Sequence, residues 1–95
     1  MIIIAGHVIV NEDDRSTYVA AHGDLVGRAR AFDGCIDLSI SPDPLDSRRI
    51  NNTEIWRDAE VLDAWRAQAD VPDHGIETRG GSMQRYDATD GGPLF

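Results

Sequence analysis

Ile2-Ile3-Ile4-Ala5-Gly6-His7-Val8-Ile9-Val10 is the stretch that decides the architecture. It is almost continuously apolar, mostly β-branched, and short. That pattern predicts a strand buried on both faces rather than a helix. Its one polar side chain is His7. Asn11-Glu12-Asp13-Asp14 ends the run, and Asp13 or Asp14 is placed to cap a helix whose positive end suits the acids.

Working outward, Tyr18, His22, Leu25, Ala29 and Phe32 recur at helical spacing, so a helix is expected over 14–31, with Gly34 as its stop. Residues 35–41 alternate cleanly, with Ile36, Leu38 and Ile40 on one face, and predict a second strand. Two prolines and several turn-forming residues make 41–47 a loop. Residues 49–57 read as the returning strand of a long hairpin. Asp58 caps a second helix over 59–70, whose apolar stripe is Val61, Leu62, Trp65 and Ala69 and which Pro72 closes. Residues 72–81 read as turns with room for one short helical turn, 82–88 as a last strand, and 89–95 as a tail.

The order β-α-β-β-α-β is the ferredoxin-like plan of the α+β class: a four-stranded antiparallel sheet with two helices on one face. The 95 residues make one domain, 1–95, with a modest core. Such a chain cannot cover both faces of strand 2–10 by itself. The expected remedy is a homodimer packed sheet against sheet.

Composition excludes several function classes. The net charge is −8, from nine arginines, no lysine and seventeen acids, which argues against nucleic acid and anionic membranes as partners. No apolar run approaches the ~20 residues of a membrane-spanning helix. Cys35 is the only cysteine, and the N-terminus lacks the basic flank of an export signal, so a cytoplasmic protein is expected. Histidines at 7, 22 and 74 have no metal-ligand spacing, and the glycine pairs are not phosphate loops, so neither metal nor cofactor is expected.

Chemistry concentrates on the strand before the second helix. Asn52, Glu54 and Trp56 share one of its faces. An amide, a carboxylate and an indole together describe either the wet side of an edge strand or the wall of a cavity. His7 reads as a core histidine bonded to a backbone carbonyl or as a buried base. His22 shares the first helix's apolar stripe with Tyr18 and reads as packing or as a base. Glu54 reads as a base or, more simply, as the partner of an arginine such as Arg79 or Arg85.

The segment Asn52-Thr53-Glu54-Ile55-Trp56-Arg57-Asp58-Ala59-Glu60-Val61-Leu62 resembles the E-x-W strand-to-helix motif of the antibiotic biosynthesis monooxygenase family. The element order, Pro72-Asp73-His74 and the length agree with it. The resemblance implies a dimeric α+β barrel and, by similarity to several members, a cofactor-independent oxygenase of quinols or anthrones. It implies a pocket between sheet and helices in which Asn52 and Trp56 match the family's strand Asn and Trp, with His74 on the rim. The chain departs from the family where Trp65 replaces a common His. It departs again where Leu62 stands at the Tyr of one quinone-forming member, and where 59–70 lacks the histidine of the haem-degrading branch. The expected function is oxidation of a small phenolic, hydroquinone or anthrone by O2, with His7 or His22 as base, Trp56 stacking on the ring and Asn52 at the oxyanion. Tyr18, Glu54, Leu62, Trp65 and His74 are the expected substrate contacts. The alternative is a non-catalytic, ligand-binding or stress-associated dimer of the same fold.

Overall fold

The structure, a computed structural model, describes residues 1–95. Four strands form one antiparallel sheet: β1 (Ile2–Ile9), β2 (Cys35–Pro42), β3 (Arg49–Trp56) and β4 (Gly80–Asp87), in the order β2-β3-β1-β4. Between β1 and β2 lie a single 3-10 turn over Glu12–Asp14, helix α1 (Arg15–Ala21) and helix α2 (Gly23–Ala31). Helix α3 (Ala59–Arg66) follows β3. This is the expected ferredoxin-like α+β plan, with the helical layer on one face of the sheet.

Register fixes which side chains meet the helices. Ile2, Ile4, Gly6 and Val8 of β1 lie opposite Trp56, Glu54, Asn52 and Ile50 of β3. These even-numbered positions face the helices, because side chains alternate along a strand. The core gathers Ile2, Ile4, Leu38 and Trp56 from the sheet with Leu25 and Ala29 from α2 and Val61, Leu62 and Trp65 from α3. The odd-numbered residues Ile3, Ala5, His7 and Ile9 stay half-exposed on the outer face. In the single chain, then, β1 is buried on one face only.

The helix expected over 14–31 is kinked. It starts after the 3-10 turn, neither Asp13 nor Asp14 makes a capping bond, and it breaks at His22. The break has a local cause. Gly23 weakens the helix there, and the Nδ1–H of His22 donates to the Tyr18 carbonyl at 2.8 Å, in place of the backbone N–H, which turns to Val19. Gly34 ends the hairpin of helix and strand with φ +94°, where a Cβ would meet the Val61 methyl carbons at 2.6 and 2.7 Å. Only glycine fits that junction of α2, β2 and α3. Asp58 caps α3 as expected, its carboxylate accepting from the Val61 N–H at 2.9 Å.

Helix α3 stops at Arg66 rather than continuing to residue 70. Asp70 takes a left-handed conformation with φ +52°, and Arg28 of α2 donates to the carbonyls of Ala69 and Asp70 at 2.7 and 3.2 Å. The guanidinium replaces the helical partners those carbonyls lose. Residues 70–79 contain no helical turn. They cross back to the sheet, where the Arg79 N–H donates to Ile9 and β4 begins. No helix is long and apolar enough to cross a membrane.

Candidate functional site

A cavity of about 210 Å³ opens between the sheet and the helices. Leu38 and Ile40 of β2 and Asn52 and Glu54 of β3 form its sheet wall. The register makes them neighbours, since Leu38 pairs with Glu54 and Ile40 with Asn52. Leu25 of α2, Trp65 and Arg66 of α3, and Ala69 and Val71 beyond it close the other side, with Ser39 at the sheet edge. Only Arg66 and Val71 among these are exposed, so they mark the opening.

Two tryptophans build the inner end. Trp65 lines the cavity and is itself 4% exposed. Trp56 lies beneath it, stacked with ring centroids 5.9 Å apart and planes inclined by 28°, and has no exposed surface. Phe32 meets Trp65 edge-on at 5.5 Å, and the Arg28 guanidinium sits 5.8 Å from its ring centroid. The face of Trp65 is therefore rigidly backed, and Trp56 contributes no surface to a ligand. Trp65, not Trp56, therefore lines the cavity, because α3 lays the later indole over the earlier one.

Trp56 acts instead through its N–H, which donates to Oε1 of Glu54 at 3.1 Å. Glu54 makes no ion pair; the arginine partnership expected for it is absent. Arg79 pairs with Glu77 at 3.5 Å. Arg85 lies in the same cross-strand row as Glu54, but Ile4 stands between them, which separates the two by two strand spacings, roughly 9–10 Å. The carboxylate thus has one oxygen held by an indole and its other oxygen free of protein partners on the wall of an apolar cavity.

Asn52 lies one step along the same face. Gly6 sits beside it on β1 and Met83 beyond on β4. With no side chain at Gly6 to block it, the Asn52 amide reaches across to the Met83 sulfur at 3.9 Å. A thioether is a weak acceptor, so this donor is cheaply released to a ligand. A Cβ at Gly6 would also run into the Ser82 carbonyl.

The histidines do not line this cavity. His7 lies opposite Asn51 and Ser82, on the outer face of the sheet, away from Asn52 and Glu54, so it does not line the cavity as the expected base would. The reason is register: Gly6, not His7, is the residue of β1 that neighbours Asn52. His22 is buried, stacked on Tyr18 at 4.3 Å and 5.2 Å from His74. Its Nδ1–H is committed to the Tyr18 carbonyl. His74 lies 4.8 Å from Tyr18, and its Nδ1 accepts the Ile76 N–H at 3.0 Å, which leaves its Nε2 as the donor. Tyr18, His22 and His74 form one cluster that pins residues 74–76 to the helix kink. Burial pushes the Tyr18 phenol above its ordinary pKa. Leu62 has no exposed surface and belongs to the core rather than to the cavity. Burial, then the nearby Asp37 and Glu54 carboxylates, raise the Cys35 thiol, which disfavours a reactive thiolate. No group of three or more His, Cys, Asp or Glu side chains is placed to hold a metal ion.

Leu25, Leu38, Ser39, Ile40, Arg66, Ala69 and Val71 were not expected at the site. The alternation of 35–41 could have offered Leu38 and Ile40, since they must face the same layer as the wall of β3. Arg66 and Val71 carry no comparable signal, because their placement depends on where α3 unwinds.

Comparison with known proteins bears on the family and the fold. The sequence model for antibiotic biosynthesis monooxygenases matches residues 1–74. A crystal structure of a proposed antibiotic biosynthesis monooxygenase from Deinococcus radiodurans superposes with a TM-score of 0.81 at 16% identity, covering 100% of this chain and 99% of that one. A protein of Shewanella oneidensis gives a TM-score of 0.75 at 20% identity, over 90% of this chain and 87% of its own. One from Pseudomonas aeruginosa gives 0.74 at 15% identity, over 94% of both chains. At these identities the structural likeness speaks for the fold alone. The curated proteins contain no match. With its sequence matched from residue 1 to residue 74, the chain belongs to the antibiotic biosynthesis monooxygenase family.

Proposed function

We propose that this protein is a homodimeric, cytoplasmic monooxygenase that uses O2 on a small phenolic, hydroquinone or anthrone-type substrate without a cofactor. The observation that carries the reading is Glu54, a carboxylate on the wall of an apolar cavity with one indole N–H as partner and no counter-cation. A base in that position is within reach of a ring hydroxyl stacked on Trp65. Asn52 supplies a donor for the oxyanion that forms as the proton leaves. Apolar walls exclude water from the reactive anion.

The substrate anion is its own reductant. It passes one electron to O2, the two radicals combine through a new C–O bond, and the resulting hydroperoxide loses water to leave a ring carbonyl. One oxygen atom stays on the product and the other leaves as water, so a phenol and O2 give a quinone and water with no external electron donor.

Oxygen uptake with a panel of hydroquinones and anthrones tests this reading. Glu54→Gln keeps the shape and the indole contact but loses the base, and turnover should fall by roughly 10²–10⁴ while ligand still binds. Undiminished turnover in that variant refutes the assignment of the base. A second reading, a non-catalytic ligand-binding or stress-associated dimer, draws support from the absence of any histidine on the cavity wall. Ligand binding with no oxygen uptake across the panel would favour it.

A further inference from the structure

The cavity holds more information about its ligand than the reaction class. Its volume is about 210 Å³. An apolar cavity of about 150 Å³ takes benzene, so this one encloses a single substituted ring, and three fused rings would have to project through its opening. Its two ends also differ in charge. The inner wall carries Glu54 and Asn52, both half-buried on β3. The opening carries Arg66, exposed on the last turn of α3.

Arg66 has no acidic partner. The chain's ion pairs engage Arg28, Arg30, Arg49, Arg57 and Arg79. Arg15, Arg48 and Arg85 also make no ion pair, but none of them lines a cavity. A cation on the last turn of a helix gains from the helix dipole, which accounts for a basic residue there. It does not account for the basic residue lying on the rim of an apolar cavity in a chain of net charge −8.

We propose that the cavity's ligand is a single-ring phenol bearing an anionic substituent such as a carboxylate. The ring lies on Trp65, the hydroxyl points inward to Glu54 and Asn52, and the anion stays at the opening on the Arg66 guanidinium. Arg66 also offsets the repulsion between such an anion and Glu54 and fixes which end of the ring enters first. This inference rests on the proposed function for the inward hydroxyl, while its size and charge requirements rest on the cavity alone.

Three probes test it by calorimetry and by quenching of tryptophan fluorescence: a hydroquinone with one ring carboxylate (2,5-dihydroxybenzoate), its methyl ester, and anthrone. The acid should bind about tenfold more tightly than the ester, the worth of one charge-assisted hydrogen bond. Arg66→Gln should erase that difference, and Arg66→Lys should restore part of it. Anthrone, whose outer rings would project past Arg66, should bind at least tenfold more weakly than the acid. Equal affinity for acid and ester, an acid preference that survives Arg66→Gln, binding of anthrone as tight as the acid, or binding of none of the three would each overturn the proposal. Oxygen uptake on the same samples separates the two readings. Uptake without discrimination between acid and ester keeps the oxygenase and discards this ligand class; discrimination without uptake does the reverse.

Discussion

The two tryptophans divide one task, and single substitutions should expose the division. Trp65→Leu removes the ring that lines the cavity, so ligand affinity should drop on the order of tenfold. Trp56→Phe keeps the buried aromatic volume but deletes the N–H that holds Glu54. Its affinity should be nearly unchanged and its turnover should fall; the reverse pattern of KM and kcat would show that Trp56 is the stacking surface after all. Asp43, which does not line the cavity, contributes to the pH dependence of stability. The Asn51 amide, then the N–H groups of Asp46 and Leu45, and less strongly Arg49, hold the Asp43 carboxyl at about 2 instead of 3.8. A carboxyl depressed in the folded state stabilises it in full above the ordinary value and loses that contribution as pH falls toward the folded one. Melting temperature should therefore fall between pH 3.8 and about 2, and Asp43→Asn should flatten that fall. An unchanged acid slope in the variant would remove Asp43 from the explanation. At this scale alternation made Asn52 and Glu54 legible in the sequence as one face. Which residue of β1 adjoins them was not legible, because one strand's pattern does not contain its neighbour's register, and so His7 was expected as a base at a cavity that Gly6, not His7, adjoins.

Elements were readable where a local rule governs them and misread where tertiary contacts override it. β1 follows from its apolar run, β2, β3 and β4 from alternation, and the Asp58 cap and Gly34 stop from a capping carboxylate and a left-handed glycine; a bulge between Cys35 and Asp37 turns Cys35 toward the core and leaves Ile36 exposed, against the expected alternation of β2. The kink at His22 and the early end of α3 do not, since they depend on the His22 ring reaching a carbonyl and on Arg28 crossing from α2 to take the carbonyls of Ala69 and Asp70. The same split predicts what α3 contributes. Leu62 is fully buried in the core between α3 and the sheet and does not line the cavity. Leu62→Ala should cost about 2–5 kcal/mol in denaturant unfolding. The protein that stays folded should bind ligand as before; a selective loss of affinity at unchanged stability would return Leu62 to the site. Gly34→Ala should also destabilise, since it combines a positive φ with a close approach to Val61.

At the scale of the molecule, the helical layer leaves the outer sheet face uncovered. Ile55, Ile3 and Tyr86 lie side by side across β3, β1 and β4 in the cross-strand register. Ala5 extends this apolar strip one step along β1, up to the polar row of Asn51, His7 and Ser82, and Tyr86 is 51% exposed. A contiguous strip of this kind on a small acidic protein marks an interaction surface. The chain's own helices cannot reach it, so the expected cover is a second copy with its strip packed against the first. Static light scattering should then give twice the chain mass of 10.4 kDa at micromolar concentration, and the interface should exceed about 1,200 Å². Replacing both Ile3 and Ile55 by Glu sets charges at the centre of that contact and should yield a folded monomer. Because Asn52, Glu54 and Trp65 open toward the helices, on the far side of the sheet from this strip, the monomer should still quench its tryptophan fluorescence when ligand enters. A wild-type chain that remains monomeric would mean that the strip is simply tolerated exposure. A monomeric variant that no longer binds would mean that the cavity needs the partner copy to hold its shape, and that the two faces of the sheet are coupled through β1 and β3.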